Sequence, residues 1–377
     1  MKKLLYTSFI ALLVLVTLSN CKKEVVEISN IEEFTQYLED EMDFQKIPAM
    51  SVLLFSKEEI LYQNLLGKTH LQQNISLKND HPFLLASISK VITAIALLQL
   101  HEEGKFLLDD KINDHLPFSV SIPNHSQDIT FRMLLTHTSG IDDGSELDNQ
   151  YYYGIDSPIS LSSFLQDYLV PSGRYYDAND NFHDFAPGTN YEYSNVGNAL
   201  IGLLVQEISG VDFNAYCKQN IFSPLGMTNS FWRLDEISKP IVQPYNYRLG
   251  RYEAIGHYTF TDYPNGGLRS TSLDLHKLIQ ALLNGGSSNN HQLLSSSVIN
   301  QMLTKQIPSL NNEIGLHLFE LDAENGLWGH DGGEQGVSTV MAFNRSTKVG
   351  AIILSNQGDA DLDEMLIEAY KLGLKLK

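Results

Sequence analysis

The segments with β-strand character lie at the two ends of this 377-residue chain, and helical patterns fill the middle. Two apolar, β-prone runs come early, AMSVLLFS at 49–56 and EEILYQNLLG at 58–67, and the polar step between them predicts a hairpin. Three more come late: EIGLHLFEL at 313–321, VSTVMAFN at 337–344 and KVGAIILSN at 348–356. This distribution predicts an α/β fold of the α+β type. One sheet is built from both chain ends, and a mostly helical lobe at about 105–260 is inserted between them.

Apolar residues at helical spacing mark the other elements. Ile31, Phe34, Leu38 and Met42 predict a first helix, and a second is expected over about 88–103, stopping before Gly104. Further helices are predicted in VGNALIGLLVQEISG, in DFNAYCKQNIF, in the second half of NGGLRSTSLDLHKLIQALLNGG and in the C-terminal DADLDEMLIEAYKLGLKLK.

The N-terminus has the features of a targeting segment. Lys2 and Lys3 precede an apolar run, Leu4 to Leu18, which is too short for a comfortable membrane span and fits a signal peptide. The run ends in LSNC, which resembles the lipobox of bacterial lipoproteins, although Asn20 departs from the small residue usual there. We therefore expect a signal peptide over 1–21, lipidation of Cys21, a tether over 22–30 and a domain over 31–377. A plain cleaved signal with an incidental cysteine is the alternative.

A lipidated Cys21 implies an exported protein, periplasmic or associated with the outer membrane, and attached to the membrane through its N-terminal lipid. Cys217, the second of only two cysteines, then has no partner, so an internal disulfide is not expected. The helical pattern around Cys217 predicts a buried, small apolar side chain. The formal net charge of −19 argues against a nucleic-acid partner, because binding phosphates requires a basic surface.

Ser87 and Lys90, in LLASISK, are candidates for a nucleophile and its base. Three residues apart at the start of a helix, they share one face. A serine hydroxyl needs a base, and a lysine can be that base only if burial or a cation lowers its pKa. The apolar VITAIALLQL that follows makes burial plausible. The alternative is an N-cap serine with a surface lysine; S-x-x-K alone is weak, since Ser19 to Lys22 also matches.

Tyr193 and Asn195 lie in PGTNYEYSNVG, in a loop directly before a predicted helix. A tyrosine can serve as a co-base where a cation favours phenolate, and an asparagine can hold a substrate amide. Y-x-N also occurs at 62–64, within a predicted strand, and at 263–265, where the preceding PGT turn is missing. We rank both of those matches lower.

His330, Asp331 and Gly332 follow a short apolar run in LWGHDGGEQG. Glycine allows a close backbone approach to a substrate, and the next N–H can face an oxyanion. The alternative is a glycine-rich turn with a surface histidine. A K-x-G element at 348–350 ranks lower because it is predicted to lie within a strand. THTSG at 136–140 is interpreted as a packed polar turn that closes a helix.

Together these segments resemble the β-lactamase-related serine hydrolases, a family of class C β-lactamases, D-alanyl-D-alanine peptidases, D-aminopeptidases and esterases. The matching pieces extend over about 83–355 in the family's order: LLASISK, LLTHTSG, PGTNYEYSNVGNALIG, NGGLRSTSLDLHKLIQALLNGG and WGHDGGEQG. The resemblance implies an antiparallel sheet flanked by helices, plus a mostly helical lobe.

The resemblance also implies roles. Ser87 would be acylated, and Lys90 would accept its proton or tune the acceptor. Tyr193 would be the partner base that later activates water, and Asn195 would contact Lys90 and the acyl amide of the substrate. Whether Lys90 or Tyr193 is the base for acylation stays open.

The third motif maps to His330, Gly332 and Gly333, with an oxyanion hole formed by the main-chain N–H groups of Ser87 and Gly333. Asp331 departs from the Thr or Ser that helps many relatives to hold a substrate carboxylate, and it should repel one if it faces the cleft. We therefore expect an exported hydrolase of esters or D-amino-acid amides, and efficient β-lactam hydrolysis is not expected as its physiological activity.

Other activities stay open as alternatives. The family also contains β-lactamases and DD-carboxypeptidases. A non-catalytic, penicillin-recognising or cell-wall-binding lipoprotein would keep the same fold. No G-x-S-x-G elbow and no H-E-x-x-H is present, so neither an α/β-hydrolase triad nor a metal site is indicated, and the expected mechanism needs no cofactor.

Overall fold

The computed structural model describes residues 28–288 and 291–377. The predicted signal peptide, Cys21 and most of the predicted tether lie outside these residues. Ile28 is buried, and Lys375 donates a hydrogen bond to its carbonyl oxygen, so packing begins three residues before the predicted boundary at 31.

Fifteen strands occur within the described residues: β1 (Ala49–Phe55), β2 (Ile60–His70), β3 (Ile75–Ser76), β4 (Phe83–Leu84), β5 (Tyr151–Tyr153), β6 (Tyr245–Arg248), β7 (Arg251–Ala254), β8 (Tyr258–Phe260), β9 (Arg269–Ser270), β10 (Ser287–Ser288), β11 (His291–Gln292), β12 (Phe319–Asp322), β13 (Leu327–Glu334), β14 (Val337–Asn344) and β15 (Gly350–Ser355).

The same part of the chain contains ten α-helices: α1 (Ile31–Gln45), α2 (Ser89–Glu102), α3 (Phe131–Leu135), α4 (Leu161–Leu169), α5 (Asn195–Ser209), α6 (Phe213–Cys217), α7 (Ser223–Leu225), α8 (Ser272–Leu283), α9 (Ser296–Met302) and α10 (Asp363–Leu376). The predicted first and second helices are confirmed as α1 and α2. The helices predicted in VGNALIGLLVQEISG and at the C-terminus are confirmed as α5 and α10. The helix predicted around Cys217 is also present, although after α6 it continues as a π-helical turn over Lys218–Phe222.

Seven strands form the main sheet, in the order β12-β13-β14-β15-β1-β2-β3, and neighbouring strands pair antiparallel. The central pairing joins β1 to β15, with Val52 opposite Ile353. The prediction of one sheet built from both chain ends is therefore confirmed. Closing this pair brings together residues about 300 positions apart along the chain.

Alternate side chains of β1 pack into two different cores, as the two-residue period of a strand requires. Met50, Val52 and Leu54 join the core beneath α1 and α10. Leu53 and Phe55 face the opposite core, which includes the apolar residues of α2, α5 and α8. This second and larger core joins the sheet to the helical lobe and supports the start of α2.

Of the three late β segments, VSTVMAFN forms β14 and most of KVGAIILSN forms β15, as predicted, whereas the first segment differs. In EIGLHLFEL only Phe319–Asp322 forms a strand, because His317 adopts a left-handed φ of 55° and the chain turns there. The strand that pairs with β14 is instead β13, which was not among the predicted strands. The glycines and charged residues of β13 interrupt the apolar pattern by which a strand is predicted. Two of these glycines, Gly329 and Gly332, are needed because neighbouring backbone packs closely against them.

The K-x-G element at 348–350 was wrongly predicted to lie within a strand. Lys348 occupies the turn between β14 and β15, with a φ of 60°. The Asn344 side chain accepts hydrogen bonds from the main-chain N–H groups of Ser346 and Thr347, and this arrangement closes the turn.

Between the two ends of the sheet lie α3 to α7, the long loops and several two-stranded ribbons. Every residue of α5 from Val196 to Val205 is buried. In the described part of the chain, no single helix is long and apolar enough to cross a membrane. Only α5 with Phe213–Leu225, bent by 79°, passes that test as a pair.

Candidate active site

Ser87 lies in a 3₁₀ turn, Ala86–Ile88, directly before α2. Its side chain is half-buried and makes no capping hydrogen bond, so the N-cap interpretation is wrong. Ala86 has a left-handed φ of 50°, which is uncommon for a residue with a Cβ and marks a constrained turn. Ser89 points elsewhere: it is fully buried, and its Oγ accepts a hydrogen bond from the Leu268 N–H.

Lys90 is 0% exposed, so the alternative of a surface lysine is also wrong. Its Nζ lies 2.7 Å from Asn195 Oδ1, 2.8 Å from the Asn265 carbonyl oxygen and 3.1 Å from Ser87 Oγ. The Nζ is also 4.9 Å from the centre of the Tyr193 ring.

Two of these three contacts fix where the Lys90 protons go. The Asn265 carbonyl oxygen can only accept. Asn195 also presents an acceptor, because its Nδ2 donates to Asp143 Oδ2 at 2.8 Å and so leaves Oδ1 facing Lys90. Both contacts therefore consume N–H groups of Lys90. In the neutral amine, the lone pair is left for the third contact and faces the hydroxyl of Ser87.

Burial lowers the pKa of Lys90 to about 7, although the carboxylates of Asp143, Asp262, Glu334 and Asp331 act in the opposite direction. A substantial fraction of the amine is therefore neutral near pH 7. This is the condition under which a lysine can accept a proton from a serine.

Tyr193 lies beside Ser87 at the cleft. The His137 ring stacks on the Tyr193 ring with centroids 4.3 Å apart, and His137 Nδ1 accepts a hydrogen bond from the Ser194 N–H. Burial raises the pKa of Tyr193 well above its usual value, and an interaction with the Ser87 side chain acts in the opposite direction. The phenol is therefore the resting form. THTSG is the packed polar turn that was predicted, and its His137 supports Tyr193.

Asn195, the first residue of α5, is oriented by Asp143. The Asp143 carboxylate accepts from the Asn195 N–H at 2.9 Å, from Asn195 Nδ2 at 2.8 Å and from the Val196 N–H at 2.9 Å. A carboxylate at a helix N-terminus satisfies otherwise unpaired N–H groups and interacts favourably with the helix dipole. The hydrogen bond from Asn195 Nδ2 to Asp143 also fixes the orientation of the Asn195 amide, with Oδ1 directed at Lys90.

The edge of β13 packs closely against the Ser87 turn. A Cβ added to Gly332 would lie 2.5 Å from the Leu85 carbonyl oxygen and 3.0 Å from the Ser87 main-chain nitrogen. A Cβ on Gly333 would meet nothing within 4 Å, so that residue faces open space. Ser87 and Gly333 both line the same cleft, and an oxyanion hole formed by their main-chain N–H groups stays a prediction.

His330 is buried rather than at the surface, with 2% exposure. Its Nδ1 lies 2.6 Å from the Asp331 carbonyl oxygen, and burial lowers the pKa of the imidazole to about 4, so the ring is neutral. The Asp331 carboxylate is 72% exposed at the rim of the cleft. Asp331 lines the same cleft as Ser87 and His330, and its repulsion of a substrate carboxylate stays a prediction.

Two cavities meet at Ser87 and Tyr193. The first, called here the Asn195 cavity, has a volume of about 230 Å³ and is also lined by Tyr151, Asn195, Asp262 and Glu334. The second, called the His330 cavity, has a volume of about 480 Å³ and is also lined by Tyr191, Phe319, His330 and Asp331. A substrate with its reacting carbonyl at Ser87 can therefore extend in two directions.

The structure brings together all the site residues predicted within its described part, namely Ser87, Lys90, Tyr193, Asn195, His330, Gly332 and Gly333. The low rank given to the Y-x-N at 263–265 is confirmed, since Tyr263 packs against Phe213 and Trp232. Sequence reasoning missed Asp143, and it also missed that the main-chain carbonyl of Asn265 holds Lys90. No spacing rule identifies either residue, because each reaches Lys90 or Asn195 only through the tertiary fold. Cys217 is buried, as predicted.

No group of three or more His, Cys, Asp or Glu side chains within residues 28–288 and 291–377 is arranged to hold a metal ion. The groups around Ser87 are suited to proton transfer and oxyanion stabilisation, which together support acyl transfer.

Comparisons with known proteins show which family the chain belongs to. The chain is 25% identical over 348 residues to Penicillin-binding protein 4* of Bacillus subtilis, which covers 85% of this chain and 70% of the relative. The first such relatives are longer, and the chain spans 61% to 70% of their length.

Solved structures share the fold. A penicillin binding protein from Bacillus halodurans superimposes with a TM-score of 0.70 and 25% identity, over 87% of this chain and 97% of that one. A D-stereospecific amidohydrolase from Streptomyces sp. has a TM-score of 0.71 and 23% identity, over 91% and 99% of the two chains. The family model described as Beta-lactamase matches residues 34–374. The chain therefore belongs to the Beta-lactamase family of serine hydrolases and penicillin-binding proteins.

Proposed function

We propose that this protein is a serine acyl hydrolase that cleaves esters or amides through an acyl-Ser87 intermediate. The observation that carries the proposal is the environment of Lys90. The amine is fully buried, two acceptors occupy its N–H groups, and its third direction faces Ser87 Oγ at 3.1 Å. A lysine that served only to pack or to bind would not need this arrangement.

Acylation begins when Ser87 Oγ attacks the substrate carbonyl and its proton passes to neutral Lys90. The carbonyl oxygen becomes an oxyanion, which the N–H groups of Ser87 and Gly333 stabilise. When the tetrahedral intermediate collapses, the bond to the leaving group breaks and the leaving group takes up a proton. The acyl group is then held on Ser87 as an ester.

Tyr193 is assigned the transfer of that proton. Its raised pKa keeps it a phenol, so it can donate its proton to the leaving group while receiving one from the Lys90 side. In deacylation, water attacks the acyl-enzyme and its proton returns by the same route. Asn195 holds the acyl amide of the substrate while it holds Lys90.

The test is covalent labelling followed by turnover. A fluorophosphonate probe should add one adduct to the wild-type protein, seen by intact mass, and none to Ser87→Ala. Wild type should hydrolyse p-nitrophenyl butyrate, whereas Ser87→Ala should not. The absence of both an adduct and Ser87-dependent turnover would favour a non-catalytic binding protein with the same fold.

A β-lactamase or DD-carboxypeptidase is the second candidate, and the penicillin-binding relative and the amidohydrolase neighbour are consistent with amide substrates. The exposed Asp331 carboxylate argues against efficient binding of a substrate carboxylate on the His330 side. Nitrocefin turnover at rates similar to those on the best ester would overturn our preference for esters and simple amides. Turnover of D-amino-acid amides or muropeptides would narrow the substrate class.

We also propose that the protein is exported and attached to the membrane through a lipid on Cys21. The proposal rests on the Lys2-Lys3 start, the apolar run and the LSNC ending. Expression in a bacterium with a clickable fatty acid should label wild type but not Cys21→Ser, and wild type should fractionate with membranes. Labelling that persists in Cys21→Ser would reject this anchor.

A further inference from the structure

The Asn195 cavity contains two carboxylates that the mechanism does not use, Asp262 and Glu334. Both line the same space of about 230 Å³ as Ser87 and Asn195. Asp262 lies two residues after β8, directly before the 3₁₀ turn Tyr263–Asn265, and Glu334 is the last residue of β13. The cavity is already a substrate site under the proposed function, and this inference rests on that proposal. Asp262 and Glu334 can therefore influence which substrates bind there.

Asp262 is 5% exposed, and its Oδ2 accepts a hydrogen bond from Asn265 Nδ2 at 2.6 Å. Asn265 Nδ2 also donates to the Asp262 carbonyl oxygen at 2.7 Å. These two bonds hold the turn that presents the Asn265 carbonyl to Lys90. A neutral amide in place of the carboxylate would still supply the acceptor for that turn, so the negative charge serves no purpose in the turn itself.

Glu334 is held in place from two directions. The Tyr151 hydroxyl lies 3.2 Å and 3.1 Å from its two carboxylate oxygens, and the Gln335 N–H donates to Oε1 at 2.8 Å. These neutral donors orient the carboxylate without neutralising its charge. A freely moving surface glutamate would not be held by three such contacts.

Neither carboxylate forms an ion pair with a lysine or arginine anywhere in the described residues. Asp143 lies nearby as a third acid. Burial raises the pKa of Asp262 to about 7, and Asp143 and Glu334 contribute to that rise; burial raises the pKa of Glu334 as well. The charge of Lys90 acts on both acids in the opposite direction, but the hydrogen bonds of its amine go to Asn195, Asn265 and Ser87. A buried carboxylate such as Asp262 is normally in direct contact with a cation, and the free volume of the cavity is where such a cation would lie.

We propose that the Asn195 cavity binds a primary ammonium group on the acyl portion of the substrate, placed between Asp262 and Glu334. The acyl portion lies on this side because Asn195 is the residue that holds the acyl amide. An ammonium has three donors on a compact charge, and it can reach both carboxylates while the carbonyl stays at Ser87. The preferred substrates are therefore aminoacyl esters or amides.

The test compares three acyl groups of similar size. Ethyl esters of alanine (each enantiomer), lactate and propanoate differ in carrying an ammonium, a hydroxyl or a hydrogen. We expect kcat/KM for an alanine ester to exceed both others by roughly tenfold or more, the range of a charge-assisted hydrogen bond. Where turnover is slow, the same three compounds are ranked as competitors of p-nitrophenyl butyrate.

Variants distinguish pocket contacts from the general field. Asp262→Asn together with Glu334→Gln should reduce the preference to about twofold or less. Glu334→Gln alone should reduce the preference in part. Because Glu334 is half-exposed at the end of β13, this single variant should fold even if the double variant does not. Asp331→Asn removes the charge of an acid that also acts on Lys90 but lines the His330 cavity, so it should leave the preference intact.

The outcomes are distinct. No preference for the alanine esters in wild type, a preference that survives the double variant, or an equal loss in Asp331→Asn would each overturn the inference. A lactate ester as good as an alanine ester would show that the cavity recognises a hydrogen-bond donor rather than a charge, which also overturns it. Absence of Ser87-dependent hydrolysis of p-nitrophenyl butyrate would instead reject the proposed function, and the inference with it.

Discussion

Lys90 is the residue whose protonation state controls the proposed chemistry. The ammonium form has no lone pair, so it cannot accept the Ser87 proton, whereas the neutral amine can. Because burial lowers the pKa of Lys90 to about 7, activity should rise with pH through about 7 and then level off. Tyr193 should not cause a decline soon above this range, since burial raises its pKa. The measurement is kcat/KM for a neutral p-nitrophenyl ester between pH 5 and 9.

Asp262 provides the control for that profile because burial raises its pKa to about 7 as well. In Asp262→Asn a negative charge near Lys90 is lost, which favours the neutral amine. The midpoint of the rise should therefore stay or move to lower pH. If the rise disappeared in Asp262→Asn, the controlling group would be Asp262 and not Lys90.

At the scale of elements, the N-terminus of α5 depends on Asp143. Asp143→Ala removes the acceptor of three N–H groups and frees the Asn195 amide to rotate. We expect a loss of about 1–3 kcal/mol in the free energy of unfolding, the usual consequence of leaving such donors unpaired. Urea unfolding measures this loss, and kcat should fall because Lys90 loses a fixed acceptor.

The neighbouring Asp142→Ala is the matched control for Asp143→Ala. The Asp142 side chain is 34% exposed, contacts His183 and accepts a hydrogen bond from the Asp143 main-chain N–H at 2.8 Å, but none of its contacts within the described residues is with α5. Its removal should cost about 0.5–1.5 kcal/mol, the usual range for one lost hydrogen bond, and leave kcat nearly unchanged. Equal effects of the two substitutions would argue against a specific role for Asp143.

Strand β13 supplies a second matched pair at this scale. In Gly332→Ala the new Cβ would lie 2.5 Å from both the Leu85 carbonyl oxygen and Thr339 Oγ1, so the strand must move away from the Ser87 turn. We expect a loss of about 1–3 kcal/mol in stability, as for overpacked cores, together with a fall in kcat/KM of about 100-fold or more, as when an oxyanion donor is lost.

Gly333→Ala differs because its Cβ would meet no atom within 4 Å. It should preserve the melting temperature, and any kinetic effect should be on KM, because the methyl group enters the cleft. A Gly332→Ala variant as stable and as active as wild type would contradict the close packing of β13 on the turn.

At the scale of the whole molecule, the sheet is held on one face by the two ends of the described chain. Leu366, in α10, is 3% exposed within the core that α1 and α10 form on the sheet. Leu366→Ala should destabilise the protein by about 2–4 kcal/mol, since it removes buried methyl groups and leaves a cavity. Leu374→Ala lies on the same helix at 43% exposure and is the control, with an expected change within about 0.5 kcal/mol. Urea unfolding distinguishes the two.

Local pattern predicted most of the elements of this fold. The apolar periods of α1, α2, α5 and α10 and the order of the β-prone segments were sufficient for the sheet built from both ends. The prediction was wrong at EIGLHLFEL, where the chain turns at His317. It missed β13 because the glycines that allow close backbone packing have no side chains to form the apolar pattern of a strand.

Ser87, Lys90, Tyr193 and Asn195 could be identified because their motifs recur in a family whose order the chain follows. The local pattern around Ser87 and Lys90 alone favoured a capping serine and a surface lysine. Tertiary structure decided the protonation state of Lys90, the orientation of Asn195 by Asp143 and the placing of Asp262 and Glu334 beside the nucleophile. The physical reason is that a pKa and a hydrogen bond depend on burial and on distance in space. These groups come from segments up to about 250 residues apart, which only the folded chain brings together.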